Sequence, residues 1–125
     1  MRLLLDTQVF LWFLEDSRKL GKLPRKLIVE AEEVLISAAS IWEAAIKTGI
    51  GKLDVSSENL IAGISASGFT ELPVRASHAA IVQSLPHHHR DPFDRLLVAQ
   101  AIYEPLHLIT ADALLKQYSE LVTVV

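Results

Sequence analysis

Short hydrophobic runs alternate along this chain with longer stretches in which hydrophobic residues recur every three or four positions. The short runs are typical of buried β-strands, and the helical spacing predicts helices between them. The predicted strands span residues 2–5, 34–37, 69–72, 107–109 and 121–124. The predicted helices span residues 9–14, 24–33, 38–50, 75–85 and 112–118, with one more from Ser56 or Ser57 to Gly68 and another that begins at Pro92.

Strands of about four residues that alternate with helices predict an α/β fold with a parallel sheet that is covered by helices on both faces. The chain shows no internal repeat, linker or low-complexity tract, and we therefore expect one domain over residues 1–125. In open parallel sheets, ligands bind at the carboxyl ends of the strands. Functional residues are accordingly expected where the predicted strands end.

The composition of the chain excludes several classes of function. The net charge is −3, from 12 Lys and Arg against 15 Asp and Glu, which argues against binding to nucleic acid through a global positive field but leaves room for a local basic strip. The absence of cysteine excludes disulfides and thiolate zinc sites. No hydrophobic run is long enough to span a bilayer, and Asp6 interrupts the N-terminal run too early for a signal peptide. The expected location is the cytoplasm.

The stretch HRDPFDRLLVAQA, residues 89–101, combines a helix start with two acids three residues apart. Asp91 suits the N-cap and Pro92 the first helical position, where its missing N–H costs nothing. Asp94 then lies in the first turn, although Asp91 already provides the cap. A second carboxylate is not needed for capping, which favours another role for Asp94.

Two further acids follow predicted strands, Asp6 after the first and Asp112 after the fourth. Asp6 could be a helix N-cap with Thr7 assisting, and Asp112 could cap a helix or lie in the first turn of one that Thr110 caps. Either acid could instead be part of a site at that edge of the sheet. Glu43 could form a surface pair with Lys47 four residues on. It also shares a helical stripe with Ile46 and Ile50, which is unusual for a surface carboxylate and reasonable in a pocket.

If these four acids converge, they repel one another unless a cation neutralises them. Oxygen ligands without Cys and without well-spaced His select magnesium or manganese. His87, His88 and His89 are consecutive and cannot all face one ion, so we expect them in a solvated or substrate-facing loop. His78 and His107 are expected at a helix surface and a strand edge.

Four segments together resemble PIN-domain ribonucleases, and among them the VapC-type toxins of bacterial toxin–antitoxin pairs. They are LLLDTQVFLWFL, SAASIWEAAIKTGIGKL, HRDPFDRLLVAQA and LITADALL, in this order and over nearly the whole chain. The resemblance implies a three-layer α/β/α sandwich with a central parallel sheet, in agreement with the alternating pattern. It also implies an endoribonuclease that cleaves structured RNA such as transfer or ribosomal RNA, dimerises, and is inhibited by a cognate antitoxin.

The resemblance further implies that four acids surround Mg²⁺ or Mn²⁺: Asp6, Glu43, Asp94 and Asp112. Asp6 and Asp94 would be the most direct ligands, while Glu43 and Asp112 would complete the site and help orient the attacking hydroxide. Thr110 occupies the position of a small hydroxylic residue that supports the site. Asp91 is expected at the edge of the pocket.

Several basic residues could contact the RNA backbone. The candidates for contacts with RNA phosphates are Arg90, Arg95 and the basic cluster at residues 18–26, which could also be ordinary solvated surface.

Two other functions are possible. A haloacid-dehalogenase-type phosphatase also places Asp after its first strand, but it needs a second Asp where this chain has Gln8. A catalytically silent PIN-like domain that only binds a partner is the other alternative, and the intact acids argue against it.

Overall fold

The short hydrophobic runs form one five-stranded sheet in the computed structural model, which describes residues 1–125. The strands are β1 Arg2–Leu5, β2 Glu33–Ser37, β3 Thr70–Leu72, β4 His107–Thr110 and β5 Val122–Val124. They are ordered β3-β2-β1-β4-β5, and every neighbouring pair is parallel. The predicted parallel sheet is confirmed.

Six α-helices and two short 3-10 helices connect the strands. The α-helices are α1 Thr7–Leu14, α2 Lys22–Glu30, α3 Ala38–Gly49, α4 Ser57–Ala66, α5 Ala76–Ile81 and α6 Pro92–Tyr103. The 3-10 helices are Val82–Ser84 and Ala113–Tyr118. None of the helices combines the length and hydrophobicity that crossing a membrane requires.

The sheet divides the hydrophobic core into two layers. Leu3 and Leu5 of β1 join a cluster with buried residues of α1 to α4. Leu4, between them, points to the opposite face and joins a second cluster that contains buried residues of α6, of neighbouring strands and of the second 3-10 helix. Because alternate residues of one strand enter opposite layers, the chain is a three-layer α/β/α sandwich, as predicted.

The winding of the chain changes direction at β1. The chain proceeds from β1 to β2 and β3 on one side, and then returns to place β4 and β5 on the other side of β1. The backbone N–H of Asp6 donates to the carbonyl of Ile109 at 2.9 Å, so β1 and β4 remain paired to their carboxyl ends. In α/β sheets such a reversal opens a crevice at those ends.

Both ends of the helix predicted over residues 24–33 were wrong. The helix predicted over residues 24–33 is α2, Lys22–Glu30. It accommodates Pro24 because the first helical turn has no intrahelical use for that N–H. Glu33 instead opens β2, where its carboxylate accepts a hydrogen bond at 2.9 Å from Arg2, its partner in the register.

Three other expectations need correction or refinement. The helix predicted over residues 75–85 is α5 followed by one 3-10 turn, and the one predicted over residues 112–118 is a 3-10 helix capped by Asp112. His78 is fully buried rather than on a helix surface. Its Nε2 lies 2.6 Å from Oε2 of Glu104, and this contact joins α5 to the end of α6.

Candidate active site

A cleft of about 380 Å³ lies at the carboxyl ends of β1 and β4, where the chain changes direction. All four acids that the sequence singled out line this cleft, and so do Asp91 and Lys47. The acids come from four separate segments of the chain: Asp6, Glu43, Asp94 and Asp112. The fold therefore brings together residues that are up to 106 positions apart in sequence.

Asp6 is held rigidly at the end of β1. Its Oδ1 accepts a hydrogen bond from the backbone N–H of Val9 at 2.8 Å and thereby caps α1. Its Oδ2 accepts from the Thr110 hydroxyl at 2.6 Å and from the N–H of Ala111 at 3.2 Å. Asp6 is thus both a helix cap and a wall of the cleft, and the Thr110 hydroxyl holds its carboxylate directly.

Glu43 reaches the cleft from α3, which begins directly after β2 with Ser37 as its N-cap. Its side chain is buried, with Oε1 accepting from the Thr7 hydroxyl at 2.6 Å. The Lys47 ammonium donates to Oε2 at 2.8 Å. The predicted pairing of Glu43 with Lys47 exists, but its carboxylate is buried in the cleft and does not form a surface pair.

Asp91 and Asp94 divide two roles at the start of α6. Oδ1 of Asp91 accepts from the N–H groups of Phe93 at 2.8 Å and Asp94 at 3.1 Å, with Pro92 as the first helical residue. Asp91 therefore caps α6 and also lines the cleft. The carboxylate of Asp94 takes no part in capping and faces the other acids.

The electrostatics of the cleft show an excess of negative charge. Burial, followed by the charges of Asp91, Asp6 and Glu43, raises the pKa of Asp94 to about 7. Burial also raises the pKa of Asp6, against the opposing hydrogen bonds from Thr110, Val9 and Ala111. The hydrogen bond to Glu43, aided by the nearby acids, raises the pKa of Lys47. Lys47 is the one ammonium group that lines the cleft, and it leaves the acids under-neutralised.

Asp112 meets an unexpected partner, His89. Asp112 caps the second 3-10 helix through Oδ1, which accepts from the N–H of Leu114 at 3.0 Å. Its Oδ2 lies 2.6 Å from Nε2 of His89, which in turn lies 3.6 Å from Oδ2 of Asp94. His89, Asp94 and Asp112 offer ligand atoms that all lie within 4.8 Å of one another. Asp6 and Glu43 line the same cleft but are not part of this tight group.

Sequence reasoning missed His89, because three consecutive histidines in a Pro-containing loop gave no reason to prefer one of them. The available signal was its position two residues before the Asp91 cap, which carries it toward the start of α6. His87 and His88 are exposed, as expected of a solvated loop.

Arg95, one of the candidates for contacts with RNA phosphates, lies in the interior of the protein. Its side chain is buried, and its guanidinium donates to four acceptors within the protein. These are the carbonyls of Pro86, Val82 and Leu85 and the hydroxyl of Tyr118. Arg90, by contrast, is exposed beside the cleft residue Asp91. The basic cluster at residues 18–26 follows the end of α1 that is remote from Asp6, and its Arg25 lies over the Phe13 ring.

The donor set of the cleft suits a hard divalent cation. It consists of carboxylate oxygens, with one imidazole beside them and no thiolate, and such oxygen ligands are the ones that magnesium and manganese prefer in proteins. The raised pKa values of Asp6 and Asp94 mean that a further positive charge in the cleft would stabilise both carboxylates. The residues present therefore fit such an ion.

A known protein family matches this chain in sequence, and solved structures match it in fold. The family described as PIN domain matches residues 3–121. No curated protein sequence matches the chain significantly. Among solved structures, VapBC2 from Rickettsia felis bound to a promoter DNA fragment matches with TM-score 0.67 and 16% identity, over 100% of this chain and 98% of that one. FitAB bound to a DNA fragment matches with TM-score 0.66 and 18% identity, over 98% and 94%. FitAcB from Neisseria gonorrhoeae matches with TM-score 0.60 and 22% identity, over 90% and 89%.

Proposed function

This chain belongs to the PIN-domain family, and we propose that it is a Mg²⁺- or Mn²⁺-dependent endoribonuclease that acts as the toxin of a toxin–antitoxin pair. The observation that carries the proposal is the convergence of Asp6, Glu43, Asp94 and Asp112 on one cleft at the switch point of a parallel sheet. Family membership alone supports the fold and a nuclease class. The cleft supplies the chemistry that such a nuclease needs.

The acids of the cleft would hold the ion. Asp94 is central, because it belongs to the pair that the resemblance implies as the most direct ligands, Asp6 and Asp94, and also lies in the tight group with Asp112 and His89. When bound, the ion supplies Lewis-acid stabilisation of the scissile phosphate and lowers the pKa of water. Glu43, fixed by Thr7 and Lys47, orients the attacking water.

The proposed substrate is RNA, approached through a few positive groups at the edge of the cleft. The Lys47 ammonium is partly exposed, and Arg90 is exposed next to Asp91. Such groups position the phosphate backbone without reading sequence. No covalent protein intermediate is needed, because the bound ion would activate water for direct hydrolysis.

A cognate antitoxin and a second copy of the chain are the proposed partners. The resemblance to VapC-type toxins supports both, and the fold is shared with the VapBC2 and FitAB complexes. Residues 9–11 and Ile64, hydrophobic positions that could serve either the core or a partner, lie in the core. Ile61 is exposed and remains available for a partner, as does Trp42, which is 61% exposed.

Cleavage of RNA by purified protein tests the proposal. A mixture of transfer and ribosomal RNA is incubated with wild-type protein in Mg²⁺ and in EDTA, and with the Asp94→Asn variant in Mg²⁺. We expect cleavage only by the wild type with Mg²⁺, and a loss of about 100-fold or more in the variant, because even residues that only support metal ligands contribute about 10- to 100-fold.

Asp16→Asn is the matched control, since Asp16 is exposed and its left-handed backbone, φ 53°, is one that Asn tolerates. This variant should cleave like the wild type. Undiminished cleavage by Asp94→Asn would remove that residue from the mechanism. A wild-type protein that cleaves no RNA and shows no Mn²⁺ binding that Asp6→Asn abolishes would favour the silent binding module instead.

A further inference from the structure

His89 is fixed at the edge of the cleft by its backbone and by both ring nitrogens. Its backbone N–H donates to the Tyr118 hydroxyl at 2.9 Å. Its Nδ1 lies 3.0 Å from the backbone N–H of Asp91, and its Nε2 lies 2.6 Å from Oδ2 of Asp112. The side chain is only 15% exposed. The loop thus delivers this one histidine of three to the acids.

The contacts of Nδ1 determine where the imidazole carries its proton. A backbone N–H can only donate, so Nδ1 of His89 must present its lone pair to Asp91. The neutral ring therefore carries its proton on Nε2, which faces Asp112 at hydrogen-bond distance. His89 is a donor to the Asp112 carboxylate.

The same contacts argue against His89 as a metal ligand through Nε2. Coordination needs the lone pair on that nitrogen, and the proton of the neutral ring would then move to Nδ1. Two N–H groups would face each other across the 3.0 Å that separates Nδ1 from the Asp91 nitrogen. The ion would have to displace a backbone hydrogen bond at the start of α6 to gain this ligand.

We propose that His89 is a positioning residue for Asp112, which it holds in the orientation that receives the cation. The inference rests on the proposed function, in which Asp112 belongs to the metal site. With His89 on Oδ2 and the N–H of Leu114 on Oδ1, both oxygens of Asp112 are oriented by hydrogen bonds, and each keeps a lone pair. Carboxylates that bind metals are commonly oriented by such outer partners.

The second 3-10 helix and α6 together hold His89 in place. Asp112 caps the 3-10 helix and Tyr118 is its last residue, so His89 bridges both ends of one short element. The Tyr118 hydroxyl also accepts from Arg95 of α6 at 3.1 Å. Movement of the loop away from the cleft would break both of its contacts with the 3-10 helix.

The tautomer can be measured directly in the wild-type protein. Long-range ¹H–¹⁵N spectra of the imidazole, recorded with and without Mg²⁺, report which ring nitrogen carries the proton. We expect His89 to be protonated on Nε2 and not on Nδ1, and to remain so when Mg²⁺ is bound. A proton on Nδ1 in the Mg²⁺-loaded protein would overturn the proposal, because His89 would then be a ligand.

Variants of His89 test the consequence through Mn²⁺ affinity. His89→Ala should weaken binding by about 10-fold or more, the usual effect of losing an outer partner. His89→Gln should restore most of the affinity, because its amide nitrogen can donate from nearly the position of Nε2. His87→Ala changes an exposed neighbour and should bind Mn²⁺ like the wild type.

Two results would contradict the proposed role for His89. One is wild-type Mn²⁺ affinity in a folded His89→Ala protein. The other is an equal loss in His89→Gln and His89→Ala when both unfold at the wild-type temperature. RNA cleavage by the wild type is measured in parallel: its absence would end the nuclease proposal, while the tautomer and the affinity series would still decide the role of His89.

Discussion

Three of the five acids that line the cleft also cap helices. Asp6 caps α1, Asp91 caps α6, and Asp112 caps the second 3-10 helix. In the sequence, capping a helix and lining a site at the sheet edge were alternatives, but Asp6 and Asp112 do both at the ends of β1 and β4. A cap residue lies at the carboxyl edge of the sheet and uses one oxygen for the backbone, as Asp112 does, which leaves the other for the cleft.

The two arginines that flank Asp91 and Asp94 in the sequence differ in their burial. Arg95 is buried and satisfies three carbonyls and a hydroxyl, whereas Arg90 is exposed. We expect Arg95→Met to lower the free energy of unfolding by about 2 to 4 kcal/mol, because it leaves several buried acceptors without a donor. Urea denaturation followed by circular dichroism measures the change.

Arg90→Met is the control for charge and size in the same segment. As a surface change it should alter the free energy of unfolding by no more than about 0.5 kcal/mol. Equal effects of the two substitutions would contradict the structural role of Arg95. The stability of this region would then come from the packing of neighbouring residues and not from the hydrogen bonds of Arg95.

Among the elements, all five strands were predicted from the sequence. β1, β2 and β4 are short hydrophobic runs that end at a polar residue, whereas β3, with the sequence Thr-Glu-Leu, was marked by Phe69 before it and Pro73 after it. The sequence-based prediction was weaker where helix and strand patterns meet. Glu33 was assigned to a helix, and only its register against Arg2, which lies 31 positions earlier, makes it the first residue of β2. Such pairing is a property of the folded sheet and leaves no local trace.

The candidate site was predictable in its acids and unpredictable in its other groups. Asp94 could be recognised because Asp91 already explained the helix start. His89 and the burial of Arg95 could not, since both depend on how the loop before α6 meets Tyr118 of the second 3-10 helix, 29 and 23 positions away. Local spacing carries no information about such contacts.

At the scale of the whole molecule, a modest net charge of −3 conceals a strongly uneven distribution. Five acids line one cleft at the point where the sheet reverses its winding, and Lys47 is the single ammonium group among them. A chain that concentrates like charges at one crevice loses stability there unless a cation is bound. The stability of the molecule should therefore report on the cleft.

The pH dependence of stability follows from Asp94, whose pKa rises from 3.8 to about 7 on folding. Between these values the native state holds a proton that the unfolded state has lost, so the free energy of unfolding falls as pH rises from about 4 to 7. Asp6, with its pKa also raised, contributes in the same direction. Thermal unfolding in EDTA at pH 5.5 and pH 7.5 should show a lower midpoint at the higher pH.

Metal and mutation should both reduce this pH effect. Mn²⁺ should raise the unfolding temperature more at pH 7.5 than at pH 5.5, because it binds the ionised carboxylates. Asp94→Asn should show a smaller difference between the two pH values in EDTA. An unfolding midpoint in EDTA that rises from pH 5.5 to pH 7.5 would contradict the charge distribution described for the cleft.

Calorimetric titration of Mn²⁺ into the protein at pH 7.5 shows whether the acid cleft is a divalent-cation site. We expect saturable binding to the wild type and to Asp16→Asn, and loss of that binding in Asp94→Asn and in Asp6→Asn. Binding of equal affinity in the wild type and in folded Asp94→Asn protein would contradict a cation site in the cleft.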